Sequence, residues 1–255
     1  ANNSHTSRGY SKDLGFKRSF ARKRHNFRSR APPDGTQGDI QDKAFIAFRI
    51  GRRSIIEFVN PIEPMENSLN ITAVNGWALP IDWFHEQVSK AFPDSNIRVI
   101  CPGNPFDTRE AEILLGSPKP DLYIGYSLGS LWLLLNRKLL PQKAIKALLA
   151  PILAFSQERQ MGGKTSETQL KYLIRILEKN LENKSPLVDF FNNCEVPFPD
   201  SLLNKVPHRE VLIKGLNFLL NIWVPGSSAD DFMAIVGEND IFLDPVKLKM
   251  QIPNL

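Results

Sequence analysis

The residues best suited to chemistry lie in Gly125-Tyr126-Ser127-Leu128-Gly129. A Gly-x-Ser-x-Gly run between an apolar strand and a helix is the pattern of a nucleophile elbow, a sharp turn that leaves the serine hydroxyl exposed above the sheet edge. The glycines are required because the turn is strained and the helix must pass close to the strand. As a bare pattern the run is a weak signal. Its context carries the weight: Leu122-Tyr123-Ile124 precedes it, and a helix-forming stretch over 131–140 follows. Acyl transfer at Ser127 would also need backbone N–H groups for the developing oxyanion. Asn75-Gly76-Trp77, after another apolar strand, offers the amide of Trp77, and the elbow offers that of Leu128, the residue after the serine. Trp77 would then also border the substrate. A third element is Asp240, in Val236-Gly237-Glu238-Asn239-Asp240 just beyond a strand, where a carboxylate can orient a histidine. An aspartate in such a loop is otherwise a turn former.

A general base is harder to find. His5 and His25 fall in a basic N-terminal stretch, His85 on a helix after the Gly-Trp loop, and His208 at the start of another helix. All four read as surface or partly packed residues. Without a base, Ser127 keeps an alcohol's weak nucleophilicity.

These residues need a frame, and the apolar pattern supplies one. Strands are expected at 69–74, 98–101, 122–124, 147–150 and 232–236, with helices at 81–92, 108–115 and from 128 toward 140. Strands alternating with helices give an α/β fold, a mostly parallel sheet with helices on its faces. Upstream, Ala44-Phe45-Ile46-Ala47-Phe48 and Ile55-Ile56-Glu57-Phe58-Val59 flank a Gly51 break and read as a hairpin. Residues 156–222 read as purely helical: Leu170, Leu173, Ile174, Leu177 and Leu181 keep helical spacing, and a second amphipathic run spans 207–222. The expected organisation is a disordered basic extension (1–43), the first part of the core (44–155), a helical insertion (156–225), and a last core strand with the acid loop (226–255).

Charge is concentrated in the extension. Residues 1–30 hold nine Lys or Arg against one acid, Asp13, a net +8, so the remainder contributes −3 to the total of +5. A globally basic nucleic-acid-binding surface is therefore not expected. The extension itself, with Tyr10, Phe16, Phe20 and Phe27 among the cations, is suited to RNA or another polyanion, and equally to an organelle-targeting leader. Two cysteines, Cys101 and Cys194, make neither a disulfide framework nor a C-x-x-C metal pair, which points to a reducing, cytoplasmic setting with no metal and no cofactor. The longest apolar run, 216–224, is too short to span a bilayer.

Taken together, Asn75-Gly76-Trp77-Ala78-Leu79, Pro102-Gly103, Gly125-Tyr126-Ser127-Leu128-Gly129, the helical insertion with Pro207, and Gly237-x-x-Asp240 resemble the α/β-hydrolases. Among these, the chain is most similar to the carboxylesterases that remove the methyl ester from pimeloyl-acyl-carrier protein in biotin synthesis. The resemblance covers residues 65–250 and implies a hydrolase-type sheet with a lid over 156–225. It further implies Ser127 as nucleophile, Asp240 as acid, the Trp77 and Leu128 amides as oxyanion hole, and a small-molecule or acyl-carrier-protein-linked ester as substrate. The family's histidine follows the acid after one more helix and strand, on the order of 20 residues or more. Here fifteen residues follow Asp240 and none is His. Two expectations stand side by side: a chain cut before its histidine, or a hydrolase scaffold without chemistry, serving as a binding module attached through its basic tail.

On the first insertion helix Lys171, Arg175 and Lys179 repeat at i, i+4 and i+8, opposite Leu170, Ile174 and Leu177. Such a stripe is suited to docking an acidic carrier protein. It is equally a solvated face, with Glu167 and Lys171 spaced to pair.

Overall fold

The computed structural model describes residues 68–116, 118–179, 185–193 and 203–255. The extension 1–43, the expected hairpin over 44–59 and Cys194 lie outside the described residues.

A five-stranded sheet is built from β1 (Asn70–Val74), β2 (Asn96–Ile100), β3 (Leu122–Tyr126), β4 (Ile145–Leu149) and, after a separate pair β5 (Ala154–Ser156) and β6 (Gly162–Thr165), β7 (Met233–Ile235). Its order is β2-β1-β3-β4-β7, and every pairing is parallel. The helices are α1 (Ile81–Ala91), α2 (Thr108–Gly116), α3 (Leu128–Leu135), α4 (Glu167–Lys179), α5 (Ser185–Asn193), α6 (Arg209–Asn221) and α7 (Pro245–Gln251). The α/β reading with a mostly parallel sheet holds.

Alternation along the strands divides the core. Ile71, Ala73, Leu122, Ile124, Ala147 and Leu149 face one side, where Phe84 and Val88 of α1 cover them at i, i+4 spacing. Val74, Tyr123 and Leu148 face the other side, against Leu131, Trp132, Leu133 and Leu134 of α3. Being buried on both faces, β1 and β3 are apolar almost throughout, as central parallel strands must be. Full burial of a side chain of Leu size contributes about 1.5–3 kcal/mol, so α3, buried on nearly every side, is a main anchor of the fold.

The insertion is not purely helical. β5 and β6 pair in parallel across the expected boundary at 156, and β6 continues into an isolated antiparallel bridge between Gly163 and Leu243. These strands escape a hydropathy reading because they are three or four residues long and β6 begins Gly162-Gly163. Beyond them α4 buries Leu170, Ile174 and Leu177, and α6 buries Leu212, Leu216 and Leu219; the two helices pack on each other.

The chain runs from β1 outward to β2, then returns to the other side of β1 to form β3. Such a reversal leaves a crevice at the carboxyl ends of the two neighbouring strands, where ligands of open α/β sheets bind. The loop that begins at Asn75 and the turn at Ser127 leave from those two ends.

Candidate active site

Gly125 pairs in register with Val74, so the ends of β1 and β3 are side by side. The chain then turns at Ser127, whose φ of 53° and ψ of −114° lie where an L residue is strained. The strain is of the order of 1–3 kcal/mol and must be held by the surroundings. Ser127 N donates to Leu149 O at 2.9 Å, pinning the turn to β4. Ser130, fully buried one turn into α3, donates through Oγ to Ser127 O at 2.6 Å and accepts from Ile152 N at 2.9 Å.

The flanking glycines are fixed by close approach. A Cβ on Gly129 would run into the carbonyl of Val74 and sit 2.7 Å from Asn75 O, and one on Gly125 would meet Ser130 Cα at 2.9 Å. Helix α3 thus starts directly against the end of β1.

The loop after β1 is held by Asn75, a buried side chain that donates to Leu79 O at 2.6 Å and accepts from Gly76 N at 2.9 Å. Its own N–H goes to Ile100 O at 2.9 Å. Among the described residues, neither the backbone N–H of Trp77 nor that of Leu128 has an acceptor, and the Ser127 hydroxyl makes no hydrogen bond. Two unpaired amides therefore flank a half-buried hydroxyl at one sheet edge. Pairs of this kind hold a developing oxyanion when they converge on it.

Asp240 leaves the carboxyl end of β7, beyond β4 in the same sheet. Its Oδ1 accepts from Phe242 N at 2.8 Å and Leu243 N at 2.9 Å, while Oδ2 has no partner among the described residues. Strand β6 buttresses this loop: Lys164 N donates to Phe242 O at 2.9 Å, Asp244 N to Gly162 O at 2.7 Å, and the Lys164 ammonium to Asp240 O at 2.6 Å. The carboxylate is thus half-buried, oriented, and free on one oxygen.

The insertion closes over this edge. Trp77, 8% exposed, donates from Nε1 to Leu212 O at 2.9 Å, and a Cβ on Gly215 would meet Trp77 Cδ1 at 2.8 Å. Behind the loop a cavity of about 20 Å³ remains, bordered by Trp77, Cys101, Leu128 and Leu212. Burial, with the negative charge of Glu110 nearby, pushes the Cys101 thiol up to about 11. It stays protonated near neutrality and is a packing group there, not a nucleophile. Glu110 has a further task, accepting from Gly103 N at 2.7 Å and Asn104 N at 2.8 Å to shape the loop after β2.

Ser127, Trp77 and Leu128 are therefore brought together, with Asp240 on the same edge. His85 and His208 are not: both are exposed, His85 Nδ1 lies 3.3 Å from Ser89 Oγ, and His208 caps the start of α6. Lys171, Arg175 and Lys179 are exposed on α4, and Lys171 pairs with Glu167 at 2.9 Å, a contact that lowers the Glu167 carboxyl's pKa. Sequence reasoning missed Ser130, Lys164 and the role of Asn75. Ser130 had a signal, as the one hydroxyl in the run Leu128–Leu135; Lys164 had none, since its partner lies 76 residues away.

Among the described residues no group of three or more His, Cys, Asp or Glu could hold a metal ion, and no helix is long and apolar enough to cross a membrane. Comparison with protein-family models and with curated proteins gives no match.

Proposed function

We propose that the protein is a serine carboxylic ester hydrolase of α/β-hydrolase type, with the segment around α4, α5 and α6 as its lid. Ser127 attacks the ester carbonyl, the Trp77 and Leu128 amides receive the oxyanion, the alcohol leaves, and water releases the acid from the acyl-serine. Asp240 orients the base through its free oxygen. The observation that carries this reading is the strained φ of Ser127 between two unpaired amides, since a turn of that cost persists where it serves a site. An ester linked to an acyl-carrier protein, as in biotin synthesis, is the substrate proposed from the resemblance, with the exposed Lys171, Arg175 and Lys179 as the docking face and the cytoplasm as the setting.

One observation favours a second reading. Neither described histidine faces Ser127, and a serine without a base loses most of its catalytic power. On that reading the scaffold binds rather than cleaves, and the basic extension holds it to RNA or another polyanion. Incubation of the full chain with a fluorophosphonate probe separates the two. Covalent labelling that maps to Ser127 and vanishes in Ser127→Ala supports the hydrolase; a folded protein that takes no label, while its extension retains RNA in a salt-dependent way, supports the binding module.

A further inference from the structure

Four aromatic rings line the edge that carries Ser127, and one of them spans it. Phe190 of α5 lies edge-on to Trp77, centroids 4.8 Å apart at 88°, and stacks on Phe242 at 5.5 Å and 21°. Phe242 in turn meets Phe155 at 5.9 Å. Trp77 belongs to the loop after β1, and Phe242 belongs to the Asp240 loop after β7, its N–H bound to the carboxylate. In the sheet order β3 and β4 lie between those two strands. A ring that touches both loops therefore passes over the end of β3, where Ser127 turns.

Phe190 also differs from its neighbour. Phe191, 4% exposed, is committed to the core, whereas Phe190 remains half-buried and keeps an edge to solvent. With the ring in place, the cavity of about 20 Å³ beside Trp77 has room for no more than a single water. An acyl chain of several carbons has nowhere else to lie at this edge.

We infer that Phe190 is the specificity-determining residue of this site, its ring occupying the space that the acyl chain of an ester would fill. The inference rests on the esterase reading for the identity of the ligand. It restricts the native protein to short acyl groups and makes medium-length straight apolar chains the class admitted when the ring is removed. Aromatic stacking holds Phe190 in place, and its geometry, edge-on to one ring and stacked on another, is of the favourable kind.

The test uses the full chain and its Phe190→Ala, Phe190→Leu and Phe190→Trp variants with p-nitrophenyl acetate and p-nitrophenyl decanoate. The ratio of kcat/KM for decanoate over acetate is expected to rise about tenfold or more in Phe190→Ala, by less in Phe190→Leu, and to fall in Phe190→Trp. An unchanged ratio in all three overturns the inference. Phe190→Leu decides if Phe190→Ala does not fold. Calorimetric titration with decanoate reads the same space without turnover, and tighter binding by Phe190→Ala than by the native chain is expected. Equal affinity overturns the inference, whereas tighter binding without any ester turnover or probe labelling overturns the esterase reading alone.

Discussion

The indole N–H of Trp77 donates to the carbonyl of Leu212 at 2.9 Å, so the loop after β1 and the helix that crosses it form one hydrogen-bonded unit. The bond is buried, and a buried polar group left unpaired costs about 1–3 kcal/mol. Trp77→Phe removes the donor and keeps an aromatic body. A loss of about 1–2 kcal/mol in chemical denaturation is expected, with faster amide exchange over 209–221. Unchanged exchange in α6 would show that the helix is held by packing alone.

Ser127 carries its strain whatever its side chain does, so two substitutions separate chemistry from backbone. Ser127→Ala keeps a Cβ at φ 53° and is expected to abolish probe labelling with little change in stability. Ser127→Gly relieves the strain and should be more stable than the alanine variant by about 1 kcal/mol, read as a rise of about 2–4 °C in Tm. A glycine variant that melts below the alanine variant would argue against strain at this turn.

Gly129 offers the converse case. A methyl group there collides with the Val74 carbonyl and the Asn75 carbonyl, both backbone atoms that cannot swing aside. Gly129→Ala is expected to destabilise the fold by about 3 kcal/mol or more, or to prevent soluble expression. Near-native stability in urea denaturation would mean that α3 can slide relative to β1.

Cys101 gives a pH signature. Its folded value, about 11, lies above the ordinary value of 9.0, so the unfolded chain loses the thiol proton first as pH rises. The corresponding stability is intact below pH 9 and is lost between 9 and 11. In a Cys194→Ser background, alkylation by iodoacetamide at pH 8 should be far slower than for a free cysteine, and Cys101→Ala should flatten the alkaline loss of stability by about 1–2 kcal/mol. Alkylation at the rate of an exposed thiol would contradict the burial.

The sheet was legible because its strands alternate or run apolar over five residues, and the Ser127 turn because glycines mark close approach. β5 and β6 were not, since Gly162-Gly163 has no hydropathy signature and both strands are very short. Helix α7 had a local signal in Asp244-Pro245, where the carboxylate caps Val246 N and Lys247 N and proline takes the first turn. Its seven residues carry too little apolar period to stand out. What holds the acid loop could not be read at all: the Lys164–Asp240 contact and the bridge at Gly163 and Leu243 join segments distant in sequence. In the same way Phe190 reads as one more apolar residue of a helix until its two ring partners are placed.

The helical insertion departs from the core and rejoins it at a single neck. Ala154 bridges to Trp223, and Val224 N donates to Leu153 O at 2.9 Å, so the chain re-enters beside the point at which it left. A segment with touching ends behaves as an exchangeable cassette. Closing a longer or shorter loop over the same neck changes its entropic cost by only about 0.6 kcal/mol per doubling of length. The frame that carries Ser127 and Asp240 can therefore accept a different cover, and with it a different choice of ligand, without being rebuilt.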